Sequence, residues 1–371
     1  VVDSDGIEKL IRSNLVGFTG YSASTSPDTL AGKVDVPLDN IIKMNANENP
    51  YGCSPKVLQA LADCPHFHIY PDDGQQELRK LLSGYVGVGA ESIVVGHGSN
   101  TLIDLIVRLF VEPGDEVINC VPTFDIYRFS TEICGGTVVN LIRDDNFAID
   151  VQEVKTAISD NTRLIFLATP NNPTGNVIPR QDIVEIIETG VPVVVDEAYY
   201  EFSGETVLPL VGRYKNLMVL RSFSKWAGLA GLRVGYGIFP PRIADYLMAI
   251  KIPHNVSVAA EIAVRASLSD LDYLQGRVKD IVAERERLFG ELKRVSWLKP
   301  YPSQANFIYC EVLKGGADEL YKELQRKGIL VRYFEKPLLK NSIRISVGKP
   351  EHTDALLKAL REIKDWSVTE R

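Results

Sequence analysis

Between residues 92 and 237, short apolar runs rich in β-branched side chains recur at 92–95, 116–120, 137–141, 164–168, 193–195, 218–220 and 234–236. Most are separated by segments of helix length. Residues 101–111 (TLIDLIVRLFV) and 182–188 place their apolar side chains at helical spacing. The middle of the chain therefore predicts strands alternating with helices, the pattern of a largely parallel sheet covered by helices. This predicts a three-layer α/β large domain over residues 43–258. After residue 257 the pattern changes to a long charged amphipathic helix over 259–295, interrupted near Asp270. A strand at 307–312, a helix at 318–327, a strand at 343–347 and a last helix at 352–363 complete a smaller α+β domain over 259–371. Residues 1–42 begin with a helical stretch at 6–15 and continue in Ser, Thr and Pro. They are expected to form an arm packed on the small domain or on a partner subunit.

Composition narrows the class without changing that architecture. Of 371 residues, 45% are hydrophobic and 24% charged, with 28 Gly and 20 Pro, which excludes collagen, coiled coil and a disordered chain. The net charge of −7 provides no general basic field for nucleic acid or an acidic membrane surface. An anionic ligand has to be met by local arginines. The five cysteines (Cys53, Cys64, Cys120, Cys134, Cys310) are odd in number and never form CxxC, which fits reduced thiols in a cytoplasm-like compartment. Apolar stretches such as 191–195 fall far short of the ~20 residues of a membrane span, and the N-terminus lacks a basic-then-apolar signal pattern. The chain begins with Val1, so a plastid location through a removed transit segment stays open.

Polar residues unsuited to a buried sheet cluster just past four predicted strands, where open α/β sheets bind ligands. After 193–195 come Asp196 and, three residues on, Tyr199. A carboxylate buried there requires a cation or stands as a helix cap. After 218–220 comes RSFSKWAGLAGLR (221–233), in which two serines and Arg233 can grip a phosphate and Lys225 can serve as a desolvated amine nucleophile. After 164–168 comes TPNNPTG (169–175), a sharp turn whose two asparagines can donate into the crevice. Before 101–111 comes GHGSN (96–100), a glycine-flexed helix start able to cradle an anion. No GxxxxGK[ST] loop supports nucleotide hydrolysis. Together these elements describe an aldehyde that condenses with a lysine, carries a phosphate and has a ring nitrogen that needs a carboxylate. Pyridoxal 5'-phosphate has all three features.

The strings ANENPYG (46–52), GSN (98–100), PTF (122–124), PNNPTG (170–175), DEAY (196–199), SFSKWAGLAGLRVGY (222–236), SQANF (303–307) and IRISVG (343–348) resemble the aspartate-aminotransferase superfamily of pyridoxal-phosphate fold type I. Within it, the chain is most similar to the histidinol-phosphate aminotransferase family. The resemblance covers nearly the whole chain. It implies that Lys225 bonds to the cofactor and, once released, moves the proton during transamination. It further implies that Asp196 keeps the ring nitrogen protonated, and that Tyr199 and Asn172 bind the phenolic oxygen. Phe124 would stack on the ring, while Ser99, Asn100, Ser222, Ser224 and Arg233 bind the phosphate. Arg344 and Arg332 would read substrate anions, with Asn47, Asn172 and Tyr21 also at the substrate. Tyr70, in HIYPD (68–72), resembles a residue that reaches the cofactor phosphate of the neighbouring subunit, which implies a homodimer with shared active sites. The implied substrates are histidinol phosphate, glutamate and 2-oxoglutarate. Many relatives carry an acidic residue where this chain has Thr101, and some a tyrosine where it has Phe124.

Two alternative readings use the same strings. Threonine-phosphate decarboxylases share almost every motif but lose CO₂, and aromatic amino acids are alternative substrates for an aminotransferase. An aminotransferase-like effector domain of a transcription regulator would need a DNA-binding domain, and only 45 residues precede ANENPYG. Metal binding at Cys64-Pro65-His66-Phe67-His68 is not expected without a second ligand pair. Trp226 reads as packing, and 284–294 as a solvated helix face with i,i+4 ion pairs.

Overall fold

The computed structural model describes residues 4–20, 29, 36–339 and 341–363. After a short strand β1 (Ile42–Lys43), the chain lays down β2 (Ile93–Gly96), β3 (Glu116–Val121), β4 (Thr137–Ile142), β5 (Thr162–Ala168), β6 (Val193–Asp196), β7 (Leu217–Ser222) and β8 (Gly235–Ile238). These last seven form one sheet in the order β2-β8-β7-β6-β5-β3-β4. Strands β3 to β7 are parallel, whereas β8 runs antiparallel to both β2 and β7. Every residue of β6 and β7 is buried. The apolar runs are continuous instead of alternating because both faces are covered. Val194 packs with Leu102, Ile106 and Tyr127 on one face, and Val193 and Val195 pack with Ile183 and Ile187 on the other. The predicted helices at 101–111 and 182–188 are Ser99–Phe110 and Arg180–Ile187.

The C-terminal segment adds β9 (Leu298–Pro300), β10 (Phe307–Val312), β11 (Ile329–Leu330), β12 (Arg332–Tyr333) and β13 (Ser342–Ser346). A four-stranded antiparallel sheet, β12-β13-β10-β9, is covered by the helices Ala317–Arg326 and Pro350–Glu362 through Leu320, Leu324, Leu356 and Leu360. Strand β1 pairs in parallel with β11, and Met44 is buried in this smaller core. The long helix predicted over 259–295 is two, Val258–Leu268 and Leu271–Leu292, separated at Asp270 as the sequence indicates. Leu274, Val278 and Ile281 pack in the larger core and Leu288 and Leu292 in the smaller one. The chain thus passes between cores inside this helix, beyond the pattern change at 257. Amphipathic spacing shows that a face is buried, not which sheet buries it.

Three other expectations are corrected, one of them being that the arm packs on the small domain: its end at Ile42 does, but the stretch holding Asn14 and Phe18 packs on the larger unit. The stretch 6–15 is not one helix: a helix ends at Glu8 and a 3-10 turn follows at Ser13–Leu15. This part of the arm rests on the larger unit, where Asn14 Nδ2 donates to the carbonyls of Glu132 and Ile133 at 2.9 and 3.1 Å and Phe18 packs on Phe129. The end of the helix Ile126–Ile133 leaves carbonyls without intrahelical donors; backbone N–H groups of Cys134, Gly135 and Gly136 meet some of them, and Asn14 adds a side-chain donor to the last two. In 284–294, Glu284 and Arg285 are buried, and the ion pairs within the stretch are at i,i+3 (Glu284 with Arg287, Glu291 with Arg294) or between neighbours (Arg285 with Glu286), not at i,i+4. Arg285 is buried because its Nη1 donates to the Ala305 carbonyl, a tie that sequence periodicity does not reveal. The five cysteines are free thiols. Among the described residues, no helix is long and apolar enough to cross a membrane.

Candidate active site

The strand ends of β5, β6 and β7 open into a cavity of about 790 Å³ that is closed from the other side by the smaller unit. Of the fifteen residues singled out from the sequence, thirteen line it: Ser99, Asn100, Phe124, Asp196, Tyr199, Ser222, Ser224, Lys225 and Arg233 from the larger unit with Asn172, and Asn47, Arg332 and Arg344 facing them. The other two do not. Tyr70 is 81% exposed, stacks on His254 at 4.9 Å and does not line the cavity of its own chain. Tyr21 lies outside the described residues.

One end of the cavity is a cradle for an anion. The helix Ser99–Phe110 begins after Gly98, whose φ is +75°. A Cβ at Gly98 would sit 2.7 Å from Arg233 Nη2, so only glycine lets the guanidinium lie against this helix start. Arg233 Nη1 points at Ser224 Oγ (3.5 Å), and Ser222 Oγ accepts the backbone N–H of Ser224. Ser99, Asn100, Ser222 and Ser224 with a helix N-terminus and the Arg233 cation match a phosphate in charge and donor type.

Asp196, at the end of β6, is buried and receives Tyr127 O–H at 2.7 Å and the Ala198 N–H at 3.1 Å. Burial raises its pKa above the ordinary carboxylate value, and these two donors offset only part of the rise. Tyr127 was not singled out from the sequence. It lies one helical turn after Phe124, so the aromatic spacing in Phe124-Asp125-Ile126-Tyr127 is the signal that could have found it. Its ring stacks on Phe166 at 4.6 Å and meets Phe124 edge-on at 5.8 Å. Of the two turn asparagines, Asn171 does not reach the crevice. Its Nδ2 donates to Pro122 O and Thr174 Oγ1, which holds the turn.

Lys225 Nζ is 3.1 Å from the Ala46 carbonyl. Its pKa is lowered to about 8, first by burial and then by the Arg344 and Arg233 cations. On the facing wall, Arg332 and Arg344 are directly opposite each other on β12 and β13. Arg344 donates to Asn172 Oδ1 at 2.5 Å and to Asn45 O at 2.9 Å, and both guanidiniums lie over the Phe334 ring. At the rim, Lys336 pairs with Asp125 at 2.7 Å.

A second buried feature, absent from the sequence reading, lies directly behind the strand ends. Glu197, fully buried, accepts Arg221 Nε and Nη2 at 3.0 and 2.9 Å, Val207 N–H at 2.7 Å and Thr206 Oγ1. Tyr200 stacks on the guanidinium at 3.7 Å. The pair ties the residue after Asp196 to the residue before Ser222. Glu197→Ala is expected to destabilise the fold by ~3–5 kcal/mol, because it leaves Arg221 charged and buried without its partner. Chemical denaturation checks this, and a loss no larger than that of a surface substitution would contradict it. Trp226 is 1% exposed and stacks on Tyr85, in keeping with packing.

A lysine, an aspartate and an anion cradle are thus gathered at the strand ends of a mixed seven-stranded sheet. Residues 39–360 match the family described as aminotransferase class I and II, and the chain belongs to that family. It is 54% identical over 357 residues to a histidinol-phosphate aminotransferase of Dehalococcoides mccartyi, covering 96% of this chain and 98% of that one. It is 43% identical over 358 residues to histidinol-phosphate aminotransferase 1, chloroplastic, of Arabidopsis thaliana, covering 96% and 86%. Among solved structures, the histidinol-phosphate aminotransferase of Sinorhizobium meliloti in complex with pyridoxal-5'-phosphate superposes with a TM-score of 0.87 at 27% identity, covering 95% of this chain and 97% of that one.

Proposed function

We propose that this enzyme binds pyridoxal phosphate and exchanges the amino group between the pair histidinol phosphate and imidazole acetol phosphate and the pair glutamate and 2-oxoglutarate, in histidine biosynthesis. The observation that carries the reading is a cavity with an anion cradle at one end and two cations, Arg332 and Arg344, side by side at the other. A cofactor phosphate occupies only the first. A substrate phosphate or carboxylate calls for the second, and histidinol phosphate and glutamate alternate there.

The residues present fit pyridoxal phosphate, because the gap at Gly98 admits Arg233 to a helix start and a buried carboxylate ends β6. Ser99, Asn100, Ser222, Ser224 and Arg233 would hold its phosphate, Asp196 its ring nitrogen and Phe124 its ring face. Tyr199 and Asn172 would bind the phenolic oxygen, and Asn172 presents its amide nitrogen because its Oδ1 is taken by Arg344. When bound, the cofactor supplies an aldehyde that takes up amines and a ring that withdraws electrons from the substrate carbon. Lys225 is the residue able to accept and return the substrate proton. Its lowered pKa keeps an appreciable neutral fraction near pH 7 to 8. The exposed Tyr70 would reach the cofactor phosphate of a second subunit in a homodimer, and the location would be cytoplasmic.

The test compares histidinol phosphate with unphosphorylated histidinol. Arg332→Ala is expected to reduce the ratio of their kcat/KM values ~10- to 100-fold, the weight of charge-assisted hydrogen bonds. An unchanged ratio would remove Arg332 as a phosphate reader. Release of CO₂ from threonine phosphate, with no 2-oxoglutarate-dependent formation of glutamate from histidinol phosphate, would replace transamination by decarboxylation.

A further inference from the structure

We propose that Asn47 is a positioning residue which, clamped by Ser346, fixes the Tyr199 hydroxyl as a donor toward the cavity. The inference rests on the reading that Tyr199 meets the phenolic oxygen of pyridoxal phosphate. The Asn47 side-chain oxygen and one of its two Nδ2 hydrogens are already used within the protein.

The geometry is a closed chain of hydrogen bonds. Asn47 is 1% exposed and adopts φ +54°, a left-handed conformation in which its N–H and its side chain both face Ser346. The Asn47 N–H donates to Ser346 Oγ at 2.8 Å, and the Ser346 hydroxyl donates to Asn47 Oδ1 at 2.9 Å. With Oδ1 occupied, Nδ2 is turned to Tyr199 and donates to its hydroxyl oxygen at 2.9 Å. A phenol oxygen that accepts from an amide N–H directs its own proton elsewhere, and Tyr199 lines the cavity. Turning the amide round would put a donor where the Ser346 hydroxyl now finds its acceptor, and burial makes that loss costly.

The clamp also bridges the two cores. Ser346 ends β13 in the smaller sheet, Tyr199 follows β6 in the larger one, and Asn306 Nδ2 donates to the Asn47 carbonyl at 3.0 Å. Successive residues of the same strap serve successive site groups: the Asn45 carbonyl accepts Arg344, the Ala46 carbonyl accepts Lys225 and the Asn47 amide orients Tyr199. Only the last of these contacts is made by a side chain, so a single substitution can reverse its polarity.

Asn47→Asp is nearly isosteric and keeps an acceptor toward Ser346. It replaces the donor at Tyr199 by a carboxylate oxygen, which draws the Tyr199 proton away from the cavity. Asn47→Gly removes the contact but tolerates the left-handed backbone. Titration of the apo-protein with pyridoxal phosphate, followed by the absorption of the bound chromophore, is expected to show affinity reduced ~10- to 100-fold by Asn47→Asp, the weight of a lost hydrogen bond to a charged group. Asn47→Gly is expected to lose less. The absorption maximum of the bound cofactor should also move in Asn47→Asp. In a Tyr199→Phe background neither Asn47 substitution should change affinity or spectrum further. Ser346→Ala, which frees the amide to turn, should reproduce the Asn47→Asp effect in weaker form and provides the test if Asn47→Asp does not fold. Normal binding in both Asn47→Asp and Ser346→Ala, or a loss that persists undiminished without the Tyr199 hydroxyl, would overturn the inference alone. Wild-type protein that takes up no pyridoxal phosphate would overturn the functional reading and the inference together.

Discussion

Lys225→Ala is expected to leave a folded protein that still takes up pyridoxal phosphate yet performs no measurable amino transfer. The residues of the anion cradle, Ser222, Ser224 and Arg233, and the Asp196 carboxylate do not depend on the lysine side chain, so the binding determinants remain. What disappears is the amine that can be bonded to the aldehyde and that can carry a proton at the substrate carbon. General acid-base work alone contributes ~10²- to 10⁴-fold, and removing the nucleophile in the same substitution adds to this. The environment also sets a pH dependence. Burial, with Arg344 and Arg233 nearby, lowers the pKa of Lys225 to about 8. The protonated amine cannot attack an aldehyde, so the rate at which apo-protein captures the cofactor should rise with pH and level off above about 8. Stopped-flow absorbance checks the capture rate, and single-turnover formation of product checks the chemistry. Turnover by Lys225→Ala at the wild-type rate would remove the lysine from the mechanism.

How much of this site could be read from the sequence follows from where each group gets its partner. Residues whose role depends on their own strand end, such as Asp196 after 193–195 or Lys225 within RSFSKWAGLAGLR after 218–220, stand out as part of a whole polar string following a dry run, although each taken alone has an ordinary explanation. The sheet was legible for the same reason: β6 and β7 are buried on both faces and read as unbroken apolar runs. Asn47 could be flagged as part of ANENPYG but not understood, since its partners Ser346 and Tyr199 are 299 and 152 positions away. Tyr127 and the Glu197–Arg221 pair escaped because an aromatic on an amphipathic helix and an acid in a motif each look complete without a distant partner. The transition between cores inside Leu271–Leu292 was hidden by the uniform amphipathic pattern of that helix. The arm's docking on Ile126–Ile133 depends on helix-end carbonyls, which sequence does not display.

Asp196→Ala is expected to slow the proton-transfer step by ~10²- to 10⁴-fold while the contacts of the anion cradle persist. A carboxylate this deeply buried pays a desolvation penalty that raises its pKa, and the structure answers with two donors, Tyr127 O–H and Ala198 N–H. Two neutral donors reduce the penalty but do not cancel the charge, so the carboxylate keeps a strong preference for a cationic N–H in the cavity. That preference is what would hold the ring nitrogen protonated. Alanine removes it without touching Ser222, Ser224 or Arg233, so affinity should fall far less than rate. Tyr127→Phe separates the charge from its support: it keeps the stacking on Phe166 and removes a single hydrogen bond to Asp196. The expected cost there is ~10-fold in the same step, in line with one hydrogen bond to a charged group. Single-turnover kinetics with glutamate, together with a deuterium effect at the substrate carbon, resolve the step. A rate unchanged in Asp196→Ala would contradict the role of the carboxylate, and a Tyr127→Phe effect as large as that of Asp196→Ala would mean that the tyrosine, not the charge, governs the proton.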